Sequence, residues 1–238
     1  MLENINIEKV LFLDIETVPL FSSFTELPET AVHLWEKKFN QFKKEGITLE
    51  ESYDRAGIYA EFGKIICISF GIFYQREGLF HIRIKSLAND DEKTILKDFA
   101  DLLCRLNIQK DLLLCAHNGK EFDFPYISRR MLLNRINIPA VLDVSGRKPW
   151  ETSFLDTMEL WKFGDFKHYT SLNLLAYIFG IPSPKADIDG SQVANVYWKD
   201  HNLERISKYC KNDVLAIMQL FLKYKGEQLI SDERIELL

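Results

Sequence analysis

Val10-Leu11-Phe12-Leu13-Asp14-Ile15-Glu16 decides how the rest of this 238-residue chain is read. It is a short, almost unbroken apolar run that closes on two acids. Such a run reads as a buried central strand whose carboxylates emerge at its C-terminal edge, where open sheets place their ligands. Residues two apart on a strand face one side, so Asp14 and Glu16 offer carboxylates to a single point in space. An unpaired carboxylate there is costly unless a cation or a hydrogen-bond donor compensates it. The spacing alone is weak evidence, since Asp90-Asp91-Glu92 imitates it and reads as an ordinary acidic helix start.

Working outward, Lys64 to Tyr74 and Leu79 to Leu87 flank Gln75-Arg76-Glu77-Gly78, which predicts two strands in an antiparallel hairpin. Asn89 or Asp90 is placed to cap a helix from Glu92 to Leu106, whose apolar residues Ile95, Leu96, Phe99, Leu102, Leu103 and Leu106 paint one face. Leu112 to Ala116 predicts a fourth strand that leads into His117-Asn118-Gly119, and Pro125 opens a helix carrying Arg129, Arg130 and Arg135. After a polar stretch from Asp143 to Ser153, helical patterns follow around Asp156 to Trp161, Ser171 to Phe179, Ser191 to Trp198 and Leu203 to Tyr224. Three or four strands followed mostly by helices predict an α/β domain over 1–238, a central mixed β-sheet flanked by α-helices. An insertion at about 19–62 separates the first two strands and holds a helical stretch from Glu29 to Lys44. A lid, a substrate guide, a partner-binding arm and a solvated decoration all stand as readings of it.

Composition narrows the class. With 47% hydrophobic and 13% aromatic residues a sizeable core is available, and disorder over most of the length is excluded. The net charge of −5 gives no global positive field of the kind that coats nucleic acid. Cys67, Cys104, Cys115 and Cys210 show no paired spacing and read as buried free thiols of a reducing compartment. The start lacks a basic, apolar leader and no run is long enough to span a membrane, so a cytoplasmic protein is expected.

Two further acidic clusters follow the first. In Asn118-Gly119-Lys120-Glu121-Phe122-Asp123 the acid sits at a helix start, where the plain reading is an N-cap. In Tyr209-Cys210-Lys211-Asn212-Asp213 the tyrosine and the aspartate are four apart and share a helical face, where the plain reading is a packed ring beside a solvated acid. Converging carboxylates need cations between them, and hard oxygen ligands suit Mg²⁺ or Mn²⁺, which points to metal-assisted phosphoryl transfer.

The order and spacing of the three clusters resemble the DEDD superfamily of 3′→5′ exonucleases over nearly the whole chain. Tyr209, four residues before Asp213, resembles the DEDDy (DnaQ-like) branch found in the proofreading domains of family B DNA polymerases and in small bacterial stand-alone proteins. The histidine branch needs a histidine where this chain has Lys208. The most family-specific stretch is Asn118-x-x-x-Phe122-Asp123-x-Pro125-Tyr126. The resemblance implies a ribonuclease H-like fold and two divalent cations, Mg²⁺ or Mn²⁺, held by Asp14, Glu16, Asp123 and Asp213. It implies that Tyr209 holds the attacking water, and that Thr17, Asn118 and Phe122 meet the substrate. The reaction would release nucleoside 5′-monophosphates from a single-stranded or frayed DNA 3′ end, with no membrane partner and with a polymerase or repair protein as a partner in trans. Two alternatives stay open, an exoribonuclease of the same superfamily and a catalytically silent nucleic-acid-binding protein.

Other features read more plainly. Asp156 resembles a recurrent acidic position but is taken as a helix cap, and Asp189-Gly190-Ser191 as a turn. Arg129, Arg130, Arg147, Lys148, Lys162 and Lys167 read as a mixed solvated surface rather than a phosphate-tracking groove, and His117, His168 and His201 lack metal-ligand spacing.

Overall fold

The computed structural model describes residues 2–42, 46–108, 111–148, 151–152, 154–165, 169–182 and 188–238. Lys167 and His168 lie outside them. The apolar run that opens the chain forms β1 (Val10–Pro19), longer than the run itself because Thr17 to Pro19 continue the pairing. β2 (Gly63–Arg76) and β3 (Leu79–Ala88) form the expected hairpin. Its two-residue turn has Glu77 at φ 54 and Gly78 at φ 78, the pair of positive values that matches strand twist. β4 (Leu113–Ala116), β5 (Phe154–Asp156) and β6 (Ile235–Leu237) complete a sheet in the order β5-β4-β1-β2-β3-β6. β1 runs antiparallel to β2 and parallel to β4, so the sheet is mixed and β1 is central.

The helices are α1 (Glu29–Phe39), α2 (Leu49–Ser52), α3 (Glu92–Leu106), α4 (Asp123–Leu133), α5 (Thr157–Lys162), α6 (Leu172–Ile178), α7 (Val193–Trp198) and α8 (Leu203–Tyr224). The alternation of β1 sorts them onto two faces. Leu11, Leu13 and Ile15 join Leu96, Phe99, Leu103 and Ile127 in the core under α3 and α4. Val10 and Phe12 join Val214, Ile217, Met218 and Phe221 under α8. The acids of β1 therefore lie on the α8 side of the sheet, in register with the even-numbered residues. None of the described helices is long and apolar enough to cross a membrane.

Several expectations change. Asp91, not Asn89 or Asp90, caps α3, accepting from the Lys93 amide and the Thr94 hydroxyl. The other two are already committed: Asn89 accepts from the Asp91 amide, and Asp90 from the Tyr197 hydroxyl. Arg130 is no surface cation. It is buried against Glu92, with Nε to Oε1 at 2.8 Å and Nη2 to Oε2 at 2.6 Å, while Nη1 donates to the Ala60 carbonyl at 2.8 Å. Glu92 also accepts from the Ile65 amide, so one buried pair ties α3, α4, β2 and the insertion together. Cys104 is exposed, on the solvent face of α3, while Cys67, Cys115 and Cys210 are buried as expected.

The insertion has a core of its own. Trp35 is fully buried among Tyr53, Phe42, Tyr59 and Phe62, with ring centroids 5.1 to 5.9 Å away, and its Nε1 donates to Ser52 Oγ at 3.1 Å. The first helix ends at Phe39, where Asn40 takes the C-cap position; Lys44, the expected end, lies outside the described residues.

Candidate active site

The three acidic clusters converge along β1 just past Phe12, where β4 stops pairing with it; the strand runs on to Pro19, so Asp14 and Glu16 stand mid-strand rather than at its C-terminal edge. Glu16 is buried at 8% exposure and Asp123 at 3%, while Asp14 and Asp213 are half-buried. Asp123 is not an N-cap. It is the first residue of α4, Phe122 occupies the cap position, and the Asp123 carboxylate accepts from the Ile15 amide at 3.2 Å. That bond links the second cluster to the strand that carries the first. Tyr209 and Asp213 lie one helical turn apart on α8, the phenol hydrogen-bonding the carboxylate. Between them, the Cys210 thiol lies 3.4 Å from Asp14 Oδ2, and one ligand atom from each of Asp14, Glu16 and Cys210 lies within 4.8 Å of the others. The sequence reads Cys210 only as a buried thiol, because its spacing carries no metal-ligand signal.

None of the four acids pairs with a lysine, arginine or histidine among the described residues. Their electrostatics follow from that. Burial first, then Glu16, Asp123 and Asp213, hold the Asp14 carboxyl well above the usual carboxylate range. Burial and then Asp213 do the same to Glu16. Burial, with Asp156 adding to it, pushes Asp123 up to about 7 against the lowering pull of backbone N–H donors. Burial takes Asp213 to about 6, and the Tyr209 hydrogen bond works against the rise. The Tyr209 phenol is raised by burial and then by Asp213, Glu16 and Asp14, so it keeps its proton. A cluster of oxygen donors that resists ionisation for lack of positive charge fits divalent cations of the Mg²⁺ or Mn²⁺ type.

The turn between β4 and α4 is locked from below. Asp156 caps α5 by accepting from the Met158 and Glu159 amides, and it also accepts from the Asn118 amide at 2.9 Å and the Lys120 amide at 3.1 Å. This fixes Asn118 in the left-handed region at φ 63. Gly119 follows because a Cβ there would stand 2.4 Å from the Ala116 Cβ. Asn118 Oδ1 is left buried with no hydrogen-bond partner among the described residues. His117 has a structural task, its Nδ1 bonded to Thr157 Oγ1 and its Nε2 to the Thr170 carbonyl, each at 2.9 Å.

All eight residues singled out in the sequence line one cavity of about 730 Å³: Asp14, Glu16, Thr17, Asn118, Phe122, Asp123, Tyr209 and Asp213. Thr17 does so with its hydroxyl committed to the Gly57 carbonyl at 2.8 Å. Sequence reasoning missed Tyr169, Arg55 and Ile58, which line the same cavity from segments without a motif. Asp189 and Ser191 form the expected turn, the Ser191 amide donating to Asp189 Oδ1 at 2.8 Å, and Gly190 and Ser191 also reach the cavity wall.

A family model described as "Predicted 3′-5′ exonuclease related to the exonuclease domain of PolB" matches residues 58–233. The match takes in the second and third clusters and begins after β1. Among solved structures, the chain is similar to the family B DNA polymerase from the hyperthermophilic archaeon Pyrobaculum calidifontis, with a TM-score of 0.55 at 13% identity. The likeness covers 90% of this chain and 24% of the polymerase, so the chain spans about a quarter of that protein's length. At this identity the likeness shows the fold: the mixed six-stranded sheet flanked by helices is ribonuclease H-like.

Proposed function

This chain belongs to the family of predicted 3′-5′ exonucleases related to the exonuclease domain of PolB, and on that premise we propose that it hydrolyses the terminal phosphodiester at the 3′ end of single-stranded or frayed DNA, releasing nucleoside 5′-monophosphates. The observation that carries the reading is the convergence of Asp14, Glu16, Asp123 and Asp213 in one cavity without a paired cation side chain among the described residues. Such an arrangement is unfavourable for folding alone and suits a site built to take up positive charge.

In this reading Asp14, Glu16, Asp123 and Asp213 hold two divalent cations, Mg²⁺ or Mn²⁺. Bound there, the cations would supply Lewis acidity toward the phosphoryl group and a lowered pKa for water. The chain's own groups do the rest. Tyr209 keeps its proton and hydrogen-bonds Asp213, which leaves it able to hold a water at the rim of the cluster. Asn118 brings an unpartnered carbonyl oxygen and an amide to the terminal nucleotide, held by the Asp156 bonds to the adjoining turn. Phe122, half-buried beside Tyr126 with ring centroids 5.3 Å apart, offers an apolar face to a base. Thr17 contributes wall rather than a hydrogen bond, its hydroxyl being in use.

The test is Mg²⁺-dependent release of 5′-mononucleotides from 3′-labelled single-stranded DNA, with Asp14→Ala and Asp213→Ala as controls. Activity equal to wild type in either variant removes the scheme. Matched DNA and RNA oligomers separate the deoxyribonuclease reading from the exoribonuclease one. Absence of Mn²⁺ binding by calorimetry would favour a silent binding protein.

A further inference from the structure

The insertion between β1 and β2 is built into the cavity wall. Its last turn, Tyr53–Ile58, puts Asp54, Arg55, Gly57 and Ile58 in the lining. That turn is held from both sides. The Gly57 carbonyl accepts from Thr17 Oγ1 and from the Tyr126 hydroxyl, each at 2.8 Å, and a Cβ at Gly57 would stand 3.1 Å from the Val18 carbonyl carbon. Tyr53 and Ala56, on either side of Asp54 and Arg55, are buried in the aromatic cluster around Trp35. The backbone that carries Arg55 is thus fixed relative to the acids.

Arg55 itself is exposed, with its guanidinium carbon 5.0 Å from the centroid of the Phe42 ring. It makes no ion pair or hydrogen bond among the described residues. Among the described residues that line the cavity it is the one arginine or lysine, and it shares that wall with Asp14, Glu16, Asp123 and Asp213. A nucleic-acid strand entering such a wall brings a phosphate at every nucleotide. Cations held by the acids would answer one of them. For the phosphates further along the strand the lining offers neutral donors such as Asn173 and Ser191, and its charged side chains other than Arg55 are carboxylates. A guanidinium presents a planar fork of donors matched to phosphate, and stacking on a ring pre-orients it.

We infer that Arg55 is a substrate-binding residue that grips a phosphate of the strand outside the cleaved linkage, which makes the insertion a guide for single-stranded nucleic acid. This rests on the exonuclease reading above. The experiment measures binding of a fluorescein-labelled oligo(dT) in CaCl₂ as a function of NaCl, for wild type, Arg55→Ala and Arg55→Lys, beside Mg²⁺-dependent turnover of the same strand. For Arg55→Ala, binding weakens about tenfold or more at low salt, the loss expected for a charge-assisted hydrogen bond. The slope of log affinity against log salt also becomes shallower by about 0.7, the contribution of one phosphate contact on a single strand. In turnover the loss falls on KM more than on kcat. Arg55→Lys, which keeps the charge and loses the fork, restores the slope and part of the affinity. An Arg55→Ala protein that keeps the wild-type slope, whatever its affinity, overturns the inference, because a packing defect leaves the slope alone. Wild type that neither binds nor cleaves the strand brings down the exonuclease reading and this inference with it. Wild type that cleaves, with an unchanged slope in Arg55→Ala, removes the inference alone.

Discussion

Replacing Asp213 by asparagine is expected to make the metal-free protein more stable while it destroys the proposed chemistry. The Asp213 carboxyl moves from its ordinary 3.8 to about 6, chiefly by burial. At about 1.4 kcal/mol per pH unit, holding it ionised inside the fold costs about 3 kcal/mol at pH 8. Its charge also raises Asp14 and Glu16, so removing it relieves both. Asparagine keeps an acceptor for the Tyr209 hydroxyl and nearly the same volume. The sign follows from proton counts. Between pH 4 and 6 the folded chain holds a proton at this site that the unfolded chain has released, so wild-type stability falls as pH rises through that window. Asp213→Asn has no such proton to lose, and its advantage grows from nothing near pH 3.5 to its full size above pH 7. For a chain of this length about 2 to 4 °C accompanies each kcal/mol, giving a rise in Tm of about 6 to 12 °C at pH 8 in EDTA. Thermal melts of both proteins in EDTA from pH 3.5 to 8.5 measure it. An Asp213→Asn protein that melts at or below wild type at pH 8, or whose advantage does not depend on pH, refutes the reasoning.

Four further outcomes follow from the same geometry. MnCl₂ at about a hundred times its Kd should stabilise wild type by about 3 kcal/mol at pH 8, read as a rise in Tm, and should do much less for Asp213→Asn. Tyr209→Phe should lower kcat by about one to two orders of magnitude with its alkaline pH profile unchanged, since the phenol stays protonated throughout; a lost alkaline limb contradicts this. Arg130→Ala leaves the Glu92 carboxylate buried and should cost about 3 to 5 kcal/mol by urea denaturation, with Glu92→Gln in the same chain recovering part of it. Asp156→Ala strips the acceptor from the Asn118 and Lys120 amides and should lower both stability, by about 2 to 4 kcal/mol, and kcat/KM on DNA; an effect on stability alone argues that Asn118 is not held for the substrate.

Legibility differed by kind of signal. β1 was readable as an unbroken apolar run, the hairpin from two apolar runs flanking a turn, and α3 and α8 because each repeats its apolar period over enough residues to stand out and begins and ends where the pattern does. β5 and β6 were not, since three residues cannot display a period of two. The residues of the three clusters were visible as types at recurrent spacings, while what surrounds them was not. Arg130 looks like any other arginine of a basic helix until Glu92, far off in the chain, is seen beneath it. Arg55 and Tyr169 sit in segments whose local sequence says nothing about a cavity, because their place depends on how the insertion and the stretch before α6 dock.

The two strands that escaped the sequence close the sheet at both margins. β5 pairs with β4 only over Leu114 to Ala116, and β6 covers β3 only at Ile82 to Ile84, with the Leu238 amide adding a bond to the Ile84 carbonyl. Long bare margins of a sheet invite pairing with other chains, and short terminal strands leave little template for it. On β6 the outward carboxylate of Glu236 is engaged by Arg83 and Tyr74, which sets charge and a bulky ring along the border. Deleting the last residues from Ile235 onward would bare the apolar rim of β3, and the shortened protein should be prone to self-association on concentration while its acids, on β1 with β2 and β3 between, stay in place.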